Sequence, residues 1–553
     1  MAYNNAMKKI DGHSPVFGGG AGVQKAAFLG IGAVLAMLVT GLGLSCAPAP
    51  NGAQVLIAGG RLLDGSGNPW LRADVLIEGD RIAAVGRGID APGAEVIDAT
   101  GLYVAPGFID THSHAGPGLA REELSHGEPL LAMGVTTIFA NPDGGGPIEI
   151  AEQRTELLAD GLGVNVAQFI GHGSTRGHVL GSEDRAATDA ELDEMRRIVR
   201  DAMTEGAWGL SSGTFYVPGS YAPPEEIEEL AKEVAPFGGA YQSHIRDEAS
   251  YSVGLLAAVE EVINVGRVAD VPAVLTHVKA LGPTVWGFGD SIVARVATAR
   301  AEGVAVFADQ YPYAASATSL SAALLPRWSQ AGGRDSLLAR MDRPEDMARI
   351  REGMVAGLAR RGGAERIRLR RYVPDESVEG RLLSELAEER GIDRLDLASD
   401  LIRGGSVSIV SHNMNENDIA VLMAQPWTIT ASDGGLVPLN QGVPHPRSYG
   451  AFSRRIARYA IEQGIDGLAS AVRSATSLPA SVYGMEGRGR LQVGMAADIV
   501  VFDLEAMDDP ATYTEPHQYS QGMVHVFVNG TAAMRDGEFT GALAGRVLRK
   551  GGR

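Results

Sequence analysis

Residues 106–114 read PGFIDTHSH, a short apolar segment that ends in an aspartate and two histidines separated by one residue. The apolar part is typical of a buried strand, and side chains alternate between the two faces of a strand. His112 and His114 therefore point the same way, where they can bind one cation together. This stretch predicts a strand whose end carries metal ligands.

Seven more segments of similar character follow along the chain, and they read GVTTIFA, NVAQFIG, AWGLSS, GAYQSH, PAVLTH, GVAVFAD and WTITAS. Amphipathic segments such as DAELDEMRRIVRDAMTEG lie between several of them. Strands that alternate with helices are typical of a parallel α/β fold, and eight strands fit a closed barrel. We predict an α/β protein with a (β/α)8 barrel of the TIM type over residues 105–484.

Two further regions are set apart from the barrel pattern. Short strands and turns fill residues 53–104 and return in residues 485–548, which predicts one small β-sandwich domain built from both chain ends. A segment rich in Arg, Glu and Leu, about 326–405, interrupts the barrel before its last strand and predicts an inserted subdomain. The arginines of its stretch RIRLRRYV either bind an anion or form a solvated face.

The ends of other predicted strands also carry residues of metal-ligand type. In a parallel barrel the carboxyl ends of the strands share one rim, where active sites form. The candidates at that rim, besides the histidine pair, are Asp143, His172, His244, His277 and Asp433. Imidazole and carboxylate ligands suit Zn²⁺ best, with Mn²⁺, Fe²⁺ or Co²⁺ as other occupants. We predict a divalent metal site.

Such a metal site indicates hydrolysis. A divalent ion lowers the pKa of bound water from about 15.7 to roughly 7 and so produces hydroxide at neutral pH. Asp433, in the stretch TASDGG, can then act as general base and acid. The reaction class predicted from these residues is metal-assisted hydrolysis.

The chain begins with a segment that resembles an export signal. Basic residues precede an uncharged stretch over 26–45, and Cys46, the only cysteine, follows at once. This resembles a bacterial lipoprotein signal over residues 1–46, with a linker over 47–52. We expect an exported enzyme anchored to the cell envelope by lipid; an uncleaved membrane anchor and plain secretion remain alternatives. The net charge of -19 argues against nucleic acid as a partner.

Several consecutive motifs resemble one known family. PGFIDTHSH and the histidines at the ends of strands five and six look like the amidohydrolase superfamily. Within it, the mature chain resembles the N-acyl-D-amino-acid deacylases (D-aminoacylases). The stretches that carry this second resemblance are GVTTIFANPDGG, GLSSGTFYVPGSY, SHIRDE, THVKALG, ADQYPYAASATSLS, ASDGG and HPRSYGAF.

The resemblance implies how the metals are held. His244 and His277 would bind the tightly held zinc, and His112, His114 and Asp433 would surround a second, weaker site. One or two zinc ions are therefore expected, with another divalent metal as an alternative.

The resemblance also implies how the substrate is bound. Lys279 and Arg447 would hold its α-carboxylate, assisted by Tyr311 or Tyr313. Each has a structural alternative: Lys279 as a solvated strand-end residue, Arg447 as the partner of an acidic neighbour, and the tyrosines as packing residues. His445 is expected to shape the loop that carries Arg447.

Asp143 marks a departure from the family pattern. D-aminoacylases carry a cysteine as shared metal ligand at this position. Related branches bridge two metals with a carboxylated lysine, but the mature chain has no lysine before Lys232. Asp143 therefore either binds or bridges the metals as a harder oxygen ligand, or only shapes the turn FANPDGGG.

These inferences predict a hydrolase that converts an N-acyl-D-amino acid into a carboxylate and a free D-amino acid. Metal-bound hydroxide would be the nucleophile and Asp433 the general base and acid. The alternatives are a hydrolase of cyclic amides or small dipeptides in the same superfamily, or a binding lipoprotein without catalytic activity. The sequence does not indicate an oligomeric state.

Overall fold

The computed structural model of the protein describes residues 54–551. The predicted signal segment and linker lie outside the described residues. Strands from both ends of the described chain form one nine-stranded sheet, which confirms the predicted small β domain. Its strands are Gln54–Leu62, Leu71–Glu78, Arg81–Gly86, Glu95–Asp98, Tyr103–Pro106, Ile499–Phe502, Met523–Val528, Thr531–Arg535 and Glu538–Phe539.

The sheet of this domain curls around its own apolar core. Ile82, on the edge strand Arg81–Gly86, accepts a bond from the amide of Gly494 at 2.8 Å and donates one to Met495 at 2.9 Å. The edge strand is therefore hydrogen-bonded to the segment that precedes the strand Ile499–Phe502. Alternate side chains such as Ile57 and Ile499 point inward and are fully buried.

The middle of the chain forms the predicted barrel. Its eight strands are Phe108–Asp110, Val135–Ala140, Asn165–Gln168, Gly209–Gly213, Ala240–His244, Ala273–Leu275, Val306–Gln310 and Thr428–Thr430, with Ile170–Gly171 continuing the third. The eighth strand meets the first just beyond their ends, where Gly434–Gly435 pair with Ser113–His114 in parallel. The barrel therefore closes at the rim that carries the predicted ligands.

Two assignments differ from the sequence prediction. The segment LYVAPGFID is two strands, because Tyr103–Pro106 pairs with the small domain and Phe108–Asp110 with the barrel. Val547–Leu548, predicted to belong to the small domain, pairs in parallel with the third barrel strand. A two-residue strand carries no periodic signal, so only its long-range pairing reveals its place.

Helices cover the outside of the barrel. Asp189–Thr204 shows why such segments are helical: Thr188 and Glu191 form a reciprocal capping box at its start, and its apolar side chains recur at helical spacing toward the strands. The helices outside the insertion are Gly116–Leu119, Glu128–Ala132, Ile150–Leu158, His172–Leu180, Asp189–Thr204, Pro224–Lys232, Leu255–Ala269, Gly289–Ala301, Glu416–Met423, Arg447–Arg454, Leu468–Ala475 and Ser477–Val482, with a π-helix over Arg455–Glu462.

The insertion before the eighth strand is a subdomain with its own core. Three antiparallel strands, Ser316–Ser319, Ile367–Arg371 and Ser408–Ser411, carry the helices Leu320–Leu324, Gly333–Met341, Pro344–Arg360, Leu383–Arg390 and Arg394–Gly404. It therefore extends beyond the predicted range of about 326–405 on both sides.

Among the described residues, no helix combines the length and the apolar character needed to cross a bilayer.

Candidate metal centre and active site

The turn after the second strand fixes Asp143 at the mouth of the barrel. Asn141 and Asp143 both adopt the left-handed conformation, with φ of 64° and 56°. The Asn141 side chain exchanges two hydrogen bonds of 2.8 Å with Gln153. Ser211 on the fourth strand donates to the Asn141 carbonyl at 2.6 Å and accepts from the Gly144 amide at 3.1 Å. The turn is thus bonded to its neighbours on both sides.

Gly144 allows this turn to approach the next two strands. A Cβ at this position would lie 2.9 Å from the Gly213 nitrogen and 3.0 Å from the Gly173 nitrogen, and its φ is +74°. Only glycine tolerates both the contact and the backbone conformation. Gly144 therefore allows the turn to place the Asp143 carboxylate at the mouth of the barrel.

The first ligand group joins the ends of strands one, two and eight. The Nε2 atoms of His112 and His114 lie 3.2 and 3.3 Å from the two carboxylate oxygens of Asp143. Asp433 Oδ1 lies 3.2 Å from His114 Nε2 and 3.7 Å from His112 Nε2. Four predicted ligands thus surround one small space.

The second ligand group shares Asp143 with the first. His244 Nδ1 and His277 Nε2 lie 3.8 and 3.5 Å from Asp143 Oδ1. The ligand atoms within each group lie within 4.8 Å of one another. The structure therefore brings together six of the seven candidates at the rim, with Asp143 between the two groups, where it can bridge two ions.

The hydrogen bonding of these residues fits a metal. Both ring nitrogens of His112, both of His244 and Oδ1 of Asp143 are buried and have no hydrogen-bond partner among the described residues. Each unsatisfied buried polar group costs about 1–3 kcal/mol, so several at one point require a ligand. Imidazole nitrogens around a carboxylate are the donor set of a zinc site.

The pKa shifts of the clustered histidines and carboxylates also fit a bound metal ion. Burial lowers the pKa of His244 to about 3, which keeps its ring in the neutral form that binds metals. Burial opposes protonation of His112 as well, but Asp143 and Asp309 raise its pKa well above the usual value. The pKa of Asp143 is well below its usual value despite burial, because His112 faces it. A divalent cation can replace the protons that compensate these carboxylates.

Two aspartates behind the ligands hold them in place. Asp309, at the end of the seventh strand, accepts from the His277 amide at 2.5 Å, and its other oxygen lies 3.7 Å from His112 Nδ1. Asp110 accepts from the amide and hydroxyl of Ser432 at 2.9 and 2.5 Å, which ties strand one to strand eight beside Asp433. Sequence reasoning did not identify either role.

Glu248 is a further residue of the site that the sequence analysis missed. Its oxygens lie 3.5 Å from His244 Nε2, 3.2 Å from His277 Nδ1 and 2.5 Å from Lys279 Nζ. Its one sequence signal was its place four residues after His244 in SHIRDE. Lys279 is therefore not a solvated strand-end residue. It is buried and forms an ion pair with Glu248.

A cavity of about 530 Å³ opens above the ligands, and Lys279, Tyr311 and Arg447 line it. The Arg447 guanidinium stacks on the Tyr311 ring at 4.6 Å and approaches Asp433 Oδ2 to 2.7 Å. Arg447 thus pairs with an acidic neighbour and also faces the cavity. His445 accepts from the Arg447 amide at 3.1 Å and donates to the Ala315 carbonyl at 3.0 Å, which confirms its loop-shaping role.

Two candidate residues lie apart from this cavity. Tyr313 donates to Asp509 at 2.7 Å and lies under Arg454, so of the two predicted tyrosines Tyr311 alone lines the cavity. His172 lies outside both ligand groups: its Nε2 is 2.9 Å from Glu226, which also pairs with Arg176. Its interpretation as a metal ligand is wrong.

The chain is similar in sequence to proteins of known activity. The model of the Amidohydrolase family matches residues 95–533. A D-aminoacylase of Alcaligenes xylosoxydans xylosoxydans is 35% identical over 90% of this chain and 98% of its own length. An N-acyl-D-glutamate deacylase of the same organism is 34% identical over 90% of this chain and 96% of its own length.

The fold has a similar counterpart among solved structures. The crystal structure of the N-acyl-D-glutamate deacylase from Bordetella bronchiseptica, complexed with zinc and a phosphonate mimic of the tetrahedral intermediate, superposes with a TM-score of 0.77 at 31% identity. The match covers 90% of this chain and 100% of the deacylase chain.

Proposed function

Because the chain belongs to the amidohydrolase family, we propose that it is a metal-dependent hydrolase of N-acyl-D-amino acids, which it converts to a carboxylate and a free D-amino acid. The observation that carries the proposal is the pair of ligand groups joined at Asp143 beneath a cavity lined by Arg447. Metal ligands and a guanidinium in one cavity suit a substrate with both an amide and a carboxylate.

The proposed cofactor is zinc, in one or two ions. His244 and His277 would hold one ion, His112, His114 and Asp433 the other, and Asp143 would contact both. The bound metal supplies an acidic water and polarises the carbonyl that is attacked. Metal-bound hydroxide is thus the proposed nucleophile.

Asp433 is the proposed general base and acid. Its Oδ1 faces the ligand groups, 3.2 Å from His114, while Oδ2 is held by Arg447 at 2.7 Å. Burial raises the pKa of Asp433, but Arg447 and His114 outweigh this effect, so the pKa stays well below its usual value and the carboxylate is ionised. The same two contacts orient it. Asp433 can accept a proton from the attacking water at one oxygen and return it to the departing amine nitrogen.

Arg447, Lys279 and Tyr311 are the proposed partners of the substrate α-carboxylate. The guanidinium offers two parallel donors to a carboxylate, and Lys279 adds charge 5.7 Å from the same tyrosine ring. This local positive charge is needed because the whole chain carries -19 and would otherwise repel an anionic substrate.

The test is a screen of N-acetyl-D- and N-acetyl-L-amino acids with metal analysis of the same sample. We expect hydrolysis of D-substrates, loss of the rate on chelation and its return with zinc. Asp433→Asn should keep the ion held by His244 and His277 but lower kcat by about 10²–10⁴-fold. Full metal loading without hydrolysis of any D-substrate would overturn the substrate proposal.

We also propose that the protein is exported and held at the bacterial cell envelope through a lipid on Cys46. The support is the basic, apolar and cysteine pattern of residues 1–46. Wild-type protein should appear in the membrane fraction and Cys46→Ser in the soluble fraction. Equal distribution of the two would contradict lipid attachment.

A further inference from the structure

Arg370 of the inserted subdomain is directed into the active-site cavity by a β-bulge. On the strand Ile367–Arg371, Leu369 faces Ile409 and Arg371 faces Ser408, so Arg370 is the extra residue between them. A bulge turns a side chain away from the regular alternation. The Arg370 side chain lines the same cavity as Arg447.

Arg370 also differs from the other arginines of RIRLRRYV. Arg366 donates to the His412 carbonyl, Arg368 to the Gly380 carbonyl, and Arg371 pairs with Glu376 at 2.9 Å. Among residues 54–551, no hydrogen bond or ion pair involves the Arg370 side chain. Of these four guanidinium groups, therefore, the one in the cavity is the one without a partner.

The surroundings of Arg370 favour the binding of an anion. Its backbone carbonyl accepts from the Val443 amide at 2.9 Å, in the loop that leads to Arg447. Burial and the positive charge of Arg447 lower the pKa of Arg370 to about 10. Asp433 already pairs with Arg447 and Glu248 with Lys279, and neither of these carboxylates forms an ion pair with Arg370 among the described residues. A half-buried cation is costly unless an anion joins it.

We propose that Arg370 binds a second carboxylate of the substrate, carried by the side chain of its amino-acid part. The preferred substrates are then N-acyl derivatives of acidic D-amino acids. This inference rests on the proposed function, in which Arg447 takes the α-carboxylate. Each arginine then binds one carboxylate through its planar fork.

The position of Arg370 favours the amino-acid part over the acyl group. Arg370 and Arg447 line the same cavity, and the positive charge of Arg447 helps to lower the pKa of Arg370. Another part of the cavity wall is aromatic, where Phe215 stacks on His244 at 5.1 Å and Tyr216 lies beside it. Aromatic side chains suit an apolar acyl group, and paired arginines suit a dicarboxylate.

Kinetics on matched substrates test the proposal. Wild-type enzyme should give a higher kcat/KM for N-acetyl-D-glutamate than for its neutral isostere N-acetyl-D-glutamine. Arg370→Met should lower that ratio about 10- to 100-fold, mainly through KM, and Arg370→Lys should restore part of it. Arg371→Met removes the same charge from the same strand outside the cavity and should leave the ratio unchanged.

Two results would overturn the inference while leaving the proposed function intact: a wild-type ratio of one or less, or equal losses on both substrates in Arg370→Met. If no N-acyl-D-amino acid is hydrolysed, ligand binding tests the second-carboxylate site. D-glutamate should raise the Tm of the zinc-loaded protein more than D-glutamine does, and Arg370→Met should abolish the difference. Equal shifts in wild-type protein would overturn the second-carboxylate site itself.

Discussion

Two histidines at the ends of the third and fifth barrel strands, His172 and His244, have contrasting surroundings. Each faces a glutamate, at 2.9 Å from Glu226 and 3.5 Å from Glu248. Glu226 contacts both His172 and Arg176, and Nδ1 of His172 has no hydrogen-bond partner within residues 54–551. In the same part of the chain neither ring nitrogen of His244 has a partner, and Nδ1 lies 3.8 Å from Asp143.

The contrast shows what separates a structural cluster from a binding site. A His, Glu and Arg that exchange bonds balance their charges, so they stabilise the fold without a ligand. Around Asp143, by contrast, unbonded atoms from several strands converge on one small volume. Residue type at a strand end is therefore a weak sign of metal binding, and convergence of unsatisfied atoms is a strong one.

The largest effect should come from removing the carboxylate that joins the two ligand groups. Glycine adopts the positive φ of Asp143 without strain, so Asp143→Gly preserves the turn and deletes only the ligand. We expect metal affinity and kcat/KM to fall more than about 100-fold, since even partners behind a ligand cost about 10–100-fold. Metal analysis and kinetics measure both.

Asp143→Cys is the matched variant, because a thiolate is also a zinc ligand. It should recover a large part of the metal content that Asp143→Gly loses. If Asp143→Gly retains wild-type metal content and rate, the carboxylate only shapes the turn.

The two glutamates give the next comparison. Glu248→Gln removes the charge that faces His244, His277 and Lys279, and we expect metal affinity to fall about 10–100-fold. Glu226→Gln makes the same change beside His172 and should leave metal affinity as it is. Titration of the metal-free proteins with zinc would contradict this distinction if both variants lost affinity equally.

A smaller effect is expected at the tyrosines on either side of Pro312. Tyr311 lines the cavity, and its hydroxyl donates to Met414 Sδ at 3.4 Å. If this hydroxyl turns to the substrate carboxylate as proposed, Tyr311→Phe should raise KM about 10-fold with little change in kcat. Tyr313→Phe instead leaves Asp509 without its hydroxyl donor, so it should lower Tm and keep KM within about twofold. A larger change of KM in Tyr313→Phe would reverse the assignment.

The smallest effect on activity is expected at His172. His172→Ala leaves Glu226 with one partner fewer in a buried place and should destabilise the fold by about 1–3 kcal/mol. Metal content and kcat/KM at a temperature well below Tm should match wild-type protein. Loss of metal in a folded His172→Ala would return this histidine to the list of ligands.

The sequence predicted the barrel and its six ligand candidates because both follow from local pattern. Alternation along a strand places His112 and His114 on one face, and the common rim of parallel strands gathers the rest. The FANPDGGG turn was also identified, although the direction of Asp143 depends on bonds from Ser211, a residue of the fourth strand.

The residues that sequence reasoning missed depend on tertiary contacts. Glu248 lies on a loop beyond the strand, where no periodicity predicts its direction. Arg370 faces the cavity because a bulge shifts the register, and one sequence does not reveal a bulge. Tyr311 and Tyr313 are two residues apart, but the chain turns at Pro312, so alternation does not distinguish them.

The strand Val547–Leu548 has a consequence for the order of biosynthesis. It is paired with the third barrel strand, and Arg546 bonds Asn165 across a separation of 381 residues. Trp208, on the approach to the fourth strand, also donates to the Leu548 carbonyl at 2.8 Å. This part of the barrel wall stays incomplete until almost all of the described chain has been synthesised, and such an unpaired edge is prone to aggregation. The third barrel strand therefore gains this partner only after every residue of the metal site has been synthesised.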